Sequence, residues 1–474
     1  MTLYFPRDIS VDADVAGFIG SMVWLRCDRL RMMEIEALKR QYTITSSEGE
    51  EFPLWRVVDW RFLGEELQWL LLPWEEIGRT EFLADLRTDG APMRKAARSF
   101  SPREGQLEAV SFVIASLGGD FGSCGGNLIA PCGSGKTVMG AEIALRLGRR
   151  TAVLVHKEFL ARQWEDALRM LTGGTFNEKT RHWEGGEIRI GRVQRERCEY
   201  EDKDVVIVMC QSLVGKTTKR EYPREFFESC GLVIGDEIHR YAAEVWQEAL
   251  MQFPARRRLG LTATFRRRDG MLGVIEKHIG PVIYEMNVET VPVRVHFVKI
   301  ATTMDARAYS NLWDGKLNRG KLISRLAENT RRTEVILRLI LRATGADRKV
   351  LVLSERRKHL EEMAKGAERG LSSEDIGFFV GGKSEEELDI AATKRLIFAT
   401  YQMAKEGLDI PAIDTLFLAT PMADVEQSVG RIVRASADKK EPVVIDIVDR
   451  NIGPCAGFAM ARRKQYETLG YDIK

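Results

Sequence analysis

Ala130-Pro131-Cys132-Gly133-Ser134-Gly135-Lys136-Thr137 is the stretch that decides the fold of this 474-residue chain. An apolar run precedes it and a helical pattern follows, so it reads as a strand, a glycine-rich turn and a helix start. Gly133 and Gly135, with Ser134 between them, let backbone N–H groups approach phosphate oxygens without a Cβ in the way. Lys136 adds a positive charge for the terminal phosphates of a nucleoside triphosphate, and Thr137 offers a hydroxyl to Mg2+. The helix opening at Lys136 turns its positive end toward the same anion. Ala130 stands where the simplest form of the pattern has glycine. Cys132 reads as a packing residue, since no base is placed to activate it.

Further along, Leu232-Val233-Ile234-Gly235-Asp236-Glu237-Ile238-His239 reads as an apolar strand ending in two carboxylates. Asp236 at the strand end can hold Mg2+, and Glu237 can position and deprotonate an attacking water. Before the glycine-rich turn, Gln106 carries an amide that can both donate to and accept from an adenine edge, with Phe100 or Arg103 beside the ring. The competing reading is a solvated helix start capped by Ser101. Thr262-Ala263-Thr264 ends another strand and either couples two domains or is an ordinary turn. The arginines 256–258 and 266–268 that flank it read as a solvated face or as nucleic-acid contacts. In the second half, Arg431 and Arg434 are spaced to share one helix face behind Gln427, where guanidinium groups can stabilise a transferring phosphoryl. Gly407 and Asp409 lie on a strand–loop–helix stretch, 398–411, suited to contacting nucleotide and a backbone phosphate.

The organisation follows the same division. Residues 96–288 and 289–474 each alternate apolar strands with helices. Strands are expected at 151–156, 205–210, 232–235 and 258–261, then at 349–354, 376–380, 394–399, 415–419 and 442–447. Helices are expected at 158–171, 242–252, 333–343 and 357–368. Each block suits a doubly wound parallel α/β sheet, with a seam near residues 281–292. Residues 1–95 read as a small α+β domain, with strands at 55–60 and 68–72 and a helix then a strand within 22–42. This segment holds 12 Lys+Arg against 17 Asp+Glu, and five of the nine tryptophans, Trp24, Trp55, Trp60, Trp69 and Trp74. Those rings serve as core packing, base-stacking faces or a protein-partner surface. The net charge of +2 therefore hides a basic remainder, which suits a polyanion partner. Seven scattered cysteines fit reduced thiols rather than a disulfide framework. The apolar run 67–74 is too short to span a bilayer, and the acidic N-terminus is unlike a signal peptide.

Taken in order, these segments resemble the superfamily 2 helicases and translocases of the DExH branch, over roughly residues 100–440. Gln106 is similar to that family's adenine-recognising glutamine, 130–137 to its motif I, 236–239 to motif II, 262–264 to motif III, 399–411 to motif V and 427–434 to motif VI. The runs Asp236-Glu237-Ile238-His239-Arg240 and Leu259-Gly260-Leu261-Thr262-Ala263-Thr264-Phe265 look most like the XPB-type and phage UvsW-type DNA helicases. The resemblance implies two tandem RecA-like domains, ATP and Mg2+ as cofactors, and DNA, single-stranded or branched, as partner. RNA is the rival strand, and an ATP-gated clamp with little turnover is the rival class. It further implies that His239, Thr262 and Thr264 couple the domains. Gln163, Gln211, Ser212, Ser354, Arg356 and Thr400 are its candidates for the strand backbone. The implied setting is cytoplasm, whether nucleoid or phage-infected bacterial cytoplasm.

Overall fold

The computed structural model describes residues 16–19, 22–26, 32–41, 43–45, 51–53, 56–62, 65–73, 84–85, 87–118, 125–131, 133–214, 222–238, 248–263, 272–286, 292–311, 315–406, 410, 412–423, 429 and 440–474. By its internal contacts the chain divides into two compact units, Met1–Val288 and Glu289–Lys474.

The first unit is built on an eight-stranded sheet. Its order is Arg197–Cys198, Ile190–Gln194, Val205–Met209, Thr151–Val155, Leu232–Asp236, Arg257–Thr262, Gly125–Ile129, Val282–Glu285. Every pairing is parallel except that of the first two strands. The central strands read as unbroken apolar runs because both faces are covered. Alternate residues feed opposite cores: Val153 and Val155 pack with Met139, Leu160 and Trp164, while Ala152 and Leu154 pack with Phe226, Phe227 and Phe253. The helices Gln106–Gly118, Lys136–Leu147 and Glu158–Leu171 cover the first face. The expected helix at 242–252 is described only from residue 248.

The second unit repeats the principle with a seven-stranded sheet. Its order is Ile376–Phe379, Leu396–Thr400, Val350–Ser354, Thr415–Leu418, Val443–Asp449, Arg294–Ile300, Asp472–Ile473, parallel throughout. Apolar layers line both faces of this sheet too.

The N-terminal segment carries a five-stranded sheet, ordered Arg56–Phe62, Glu65–Pro73, Met22–Arg26, Ala16–Ile19, Ala84–Asp85, and a separate hairpin of Thr43–Thr45 with Glu51–Pro53. The sequence expectation of a helix beginning at residue 22 is corrected here. Met22–Arg26 is a strand paired antiparallel with Glu65–Pro73, and the helix is Met32–Gln41. Met22-Val23-Trp24-Leu25 is a run of β-formers and large apolar residues, and the charged stretch after it ends the strand.

Residues 87–95 are stitched to the bottom edge of the first α/β sheet. Thr88 donates its N–H to Pro254 O (2.7 Å), Ala91 to Ser229 O (2.8 Å) and Met93 to Gly148 O (2.9 Å), and Arg150 donates back to Ala91 O (2.7 Å). Gly90 is required here. Its φ is +63°, and a Cβ would lie 2.1 Å from Gly231 N. Asp89 binds Arg257 at 2.6 Å, and this bond, with the charges of Arg257, Arg256 and Arg149, outweighs burial and holds its carboxyl below the ordinary range. Arg258 is buried, donating to His278 O and Phe253 O. Arg257 and Arg258 thus have structural partners at the strand start, away from the sheet edge that carries the glycine-rich turn.

Candidate nucleotide site

In a parallel sheet with crossover helices, ligands bind beyond the carboxyl ends of the strands. Three adjacent strands deliver the sequence-predicted residues there. The register pairs Asp236 with Leu261 and Thr262 with Ile129, so the ends of Gly125–Ile129, Arg257–Thr262 and Leu232–Asp236 lie side by side. Ala130 N–H then donates to Thr262 O at 2.9 Å, which starts the glycine-rich turn at a fixed height.

Gly133 and Gly135 both have φ of +85°, a conformation that side chains rarely adopt. Gly135 is the residue before the helix Lys136–Leu147. A Cβ on it would lie 2.5 Å from Gln106 Nε2. That contact explains the placing of Gln106. Its Nε2 donates to Ser134 O (2.6 Å), its Oε1 accepts from Arg103 N–H (2.8 Å), and the residue is buried. Arg103 in turn reaches Gly133 O at 3.4 Å. The structure therefore shows Gln106 and Arg103 as braces on the turn. Phe100 packs against the core of the same unit.

The Lys136 ammonium is nearly buried and lies over the turn, donating to Ala130 O (3.1 Å) and Pro131 O (3.4 Å). Glu237 Oε1 is 4.0 Å from it. Glu237 has φ of +51°, in the left-handed region that is uncommon for a residue with a side chain. Such strain costs on the order of 1–3 kcal/mol and gathers at functional sites. Asp236 is 2% exposed. Burial, and next the neighbouring Glu237 charge, push its carboxyl up to about 6. A buried carboxylate destabilised in this way, with the half-buried Thr137 on the first turn of the helix, fits Mg2+. That ion takes one or two protein oxygens and completes its shell with water and substrate phosphate. No cluster of three or more His, Cys, Asp or Glu side chains suited to a metal occurs among the described residues.

Sequence reasoning missed Trp164. Its indole N–H donates to Asp236 Oδ2 at 2.9 Å, and the ring is wholly buried. The same ring packs on Gly140 of the helix Lys136–Leu147, where a Cβ would lie 2.6 Å from it. Trp164 thus braces both the turn's helix and the carboxylate.

The candidate backbone contacts are placed unevenly. Gln211 is exposed and donates to His156 O, and Gln163 is half-buried on the helix Glu158–Leu171. Ser212 is buried and accepts from Arg195 N–H (3.0 Å). Ser354 is fully buried, its hydroxyl bonded to His359 Nδ1 (3.1 Å) and Arg356 N–H (3.2 Å). Arg356 donates to Ser324 Oγ and Gly320 O, and Thr400 Oγ1 accepts from Met403 N–H. In this structure Ser212 and Ser354 are held inward by internal bonds. His239, Thr264, Gly407, Asp409, Gln427, Arg431 and Arg434 lie outside the described residues.

Residues 99–267 match the family model described as "Type III restriction enzyme, res subunit". A putative ATP-dependent RNA helicase of Acanthamoeba polyphaga mimivirus is 31% identical over 357 residues, covering 74% of this chain and 65% of that protein. The DNA 3'-5' helicase XPB of Mycobacterium tuberculosis is 29% identical over 371 residues, covering 73% of this chain and 61% of that protein. The chain therefore spans a little under two thirds of the length of these relatives. Among solved structures, S. cerevisiae Dbp5 bound to RNA and ADP BeF3 aligns over 79% of this chain and 90% of that one, with a TM-score of 0.51 and 13% identity, a likeness of fold. These matches bear out the resemblance to the superfamily 2 helicases.

Proposed function

We propose that this protein is a nucleic-acid-stimulated ATPase that moves along or remodels DNA, with single-stranded or branched DNA as its partner. The observation that carries the reading is the meeting of Lys136, Asp236 and Glu237 at the ends of adjacent strands, with Lys136 Nζ 4.0 Å from Glu237 Oε1. A phosphate-binding cation beside a carboxylate held in a strained conformation is the arrangement hydrolysis needs. Lys136 and the N–H groups around Gly133 and Gly135 bind the phosphates. Glu237 orients a water and takes its proton as the phosphoryl group leaves. Asp236 and Thr137 hold Mg2+, which neutralises phosphate charge when bound. Arg431 and Arg434, behind Gln427, are proposed to stabilise the phosphoryl in transfer. Gly407 and Asp409 are proposed to contact the nucleotide, and His239, Thr262 and Thr264 to couple hydrolysis to movement. Gln163, Gln211, Arg356 and Thr400 remain proposed strand contacts.

An RNA strand is the second reading, supported by the name of the mimivirus relative, whereas the mycobacterial relative's name supports DNA. We take the accessory part, 1–95 by sequence, to end at residue 86, because residues 88–93 are bonded to the first α/β sheet, and we propose that it binds a protein partner or a branched substrate. A location in cytoplasm fits these partners, and no described helix is long and apolar enough to cross a membrane. The test is strand displacement on DNA and RNA duplexes of one sequence with matched overhangs. ATP-dependent displacement of DNA supports the proposal, displacement of RNA alone supports the second reading, and displacement of neither refutes both.

A further inference from the structure

Resting on the nucleic-acid reading above, we propose that Arg195, at the tip of a hairpin on the rim of the first α/β sheet, contacts the phosphate backbone of the bound strand, and that Ser212 and Tyr222 are the positioning residues that hold it there.

The hairpin joins Ile190–Gln194 to Arg197–Cys198, and Gln194 pairs with Arg197, so its loop is Arg195 and Glu196 alone. In such a tight loop the first position commonly takes a positive φ, and small residues, glycine above all, suit it. Arg195 stands there with φ of +51°. A residue with a Cβ stays in that region only when its surroundings hold it. Here two side chains from elsewhere in the unit do so. Ser212 Oγ accepts from Arg195 N–H, and the Tyr222 hydroxyl donates to Arg195 O, both at 3.0 Å. Ser212 and Tyr222 are buried, whereas Arg195 is exposed. Both polar groups of the Arg195 backbone are thus fixed while its side chain faces solvent.

The register places this tip on the functional rim. Val193 lies opposite Val208, and Met209 opposite Val155, in parallel pairings. Arg195 is therefore level with Cys210 and His156, at the carboxyl ends of the same sheet whose other strands deliver Asp236 and the glycine-rich turn. Gln211, a proposed strand contact, donates to His156 O at 2.9 Å on the strands between the tip and the nucleotide site. Neighbouring arginines are already committed. Arg192 binds Glu158 and Glu165 of the helix Glu158–Leu171, which fixes the base of the hairpin. Arg197 binds Glu199 through two bonds (2.7 and 2.8 Å). Among the described residues, no side chain engages the Arg195 guanidinium. A guanidinium on a rigid support meets two phosphate oxygens with parallel N–H donors. Such a contact grips a strand without reading its bases.

The test measures binding of a fluorescently labelled thymidine oligonucleotide to the full-length protein by anisotropy, over a series of salt concentrations. Arg195→Gly should weaken binding by up to about fivefold at low salt, the scale of a solvent-exposed ion pair. It should also lower the slope of log affinity against log salt by about 0.7, the share of one phosphate on a single strand. The melting temperature should hold, because relief of the left-handed conformation offsets the added freedom of the unfolded chain. Arg195→Lys should keep the slope. Ser212→Ala and Tyr222→Phe should weaken binding in the wild-type background and add almost nothing in Arg195→Gly. An unchanged salt slope in Arg195→Gly would overturn the proposal. So would an affinity loss matched by a fall in melting temperature, which marks a structural role. Full additivity of Ser212→Ala and Tyr222→Phe with Arg195→Gly would overturn their part in it. Wild-type protein that binds neither this strand nor an RNA counterpart would instead refute the nucleic-acid reading on which the proposal stands.

Discussion

Replacing Trp164 with phenylalanine removes the N–H that donates to Asp236 Oδ2 at 2.9 Å. The shorter phenyl ring also lacks the Cη2 and Cζ2 atoms that lie against Gly140. Two consequences follow. A hydrogen bond to an ionised group contributes about 1.5–3 kcal/mol, so the folded state should lose about that much, together with the packing lost at Gly140. Asp236 also loses the donor that fixes its orientation. Groups that orient a metal ligand typically matter by about 10- to 100-fold in metal affinity. The Mg2+ concentration for half-maximal ATP hydrolysis should rise on that scale. Urea denaturation measures the first effect, and Mg2+ titration of steady-state phosphate release, at saturating ATP and DNA, measures the second. A stability loss with an unchanged Mg2+ requirement would refute the claim that Trp164 orients Asp236, and would leave the ring as packing alone.

Further predictions concern other parts of the molecule. Gly135→Ala should destabilise the turn, because a left-handed conformation costs a residue with a Cβ about 1–2 kcal/mol and that Cβ would meet Gln106 Nε2; a calorimetric ATP titration should show binding lost, and normal affinity would contradict the geometry. His359 is buried, and that burial, followed by the Arg332 charge, lowers its pKa to about 3. The imidazole stays neutral in the folded protein but protonates below about 6.5 when unfolded. Its contribution is complete above that pH and is lost as pH falls toward 3, by up to about 1.4 kcal/mol per pH unit. Melting curves between pH 7 and 5 should show His359→Asn with the shallower slope, and parallel slopes would count against the buried neutral imidazole. A chain starting at residue 87 should remain folded and hydrolyse ATP, whereas one starting at 96 should melt lower. The latter loses bonds from Thr88, Ala91 and Met93, each contributing about 1 kcal/mol. Equal melting temperatures would show that the strap contributes nothing.

What the sequence made legible was local. The strand–turn–helix around Lys136 and the carboxylates closing Leu232–Asp236 could be read because neighbouring residues carry both the structure and the chemistry. The Trp164–Asp236 bond joins residues 72 apart and depends on the packing of the helix Glu158–Leu171 against the sheet, which no local pattern encodes. The same limit applies to Gln106. Its amide reads in sequence as a candidate adenine contact, whereas its bond to Ser134 O needs the helix Gln106–Gly118 to be placed against the turn. Ser354 shows how a small hydroxyl at a strand end deceives. Its residue type suits a strand contact, yet His359 one helical turn later draws it inward. The arginines at 257 and 258 read in sequence as a solvated face or as nucleic-acid contacts, and their partners, Asp89, Phe253 O and His278 O, emerge only from the fold.

The most direct test of the central claim is phosphate release by the wild-type protein and by Glu237→Gln, each without nucleic acid, with single-stranded DNA and with RNA of the same sequence. The account predicts strong stimulation of the wild type by DNA. It predicts that Glu237→Gln binds ATP normally but turns it over about 10²- to 10⁴-fold more slowly, the usual contribution of a positioned general base. A wild-type rate indifferent to nucleic acid, or near-normal stimulated turnover in Glu237→Gln, would contradict it.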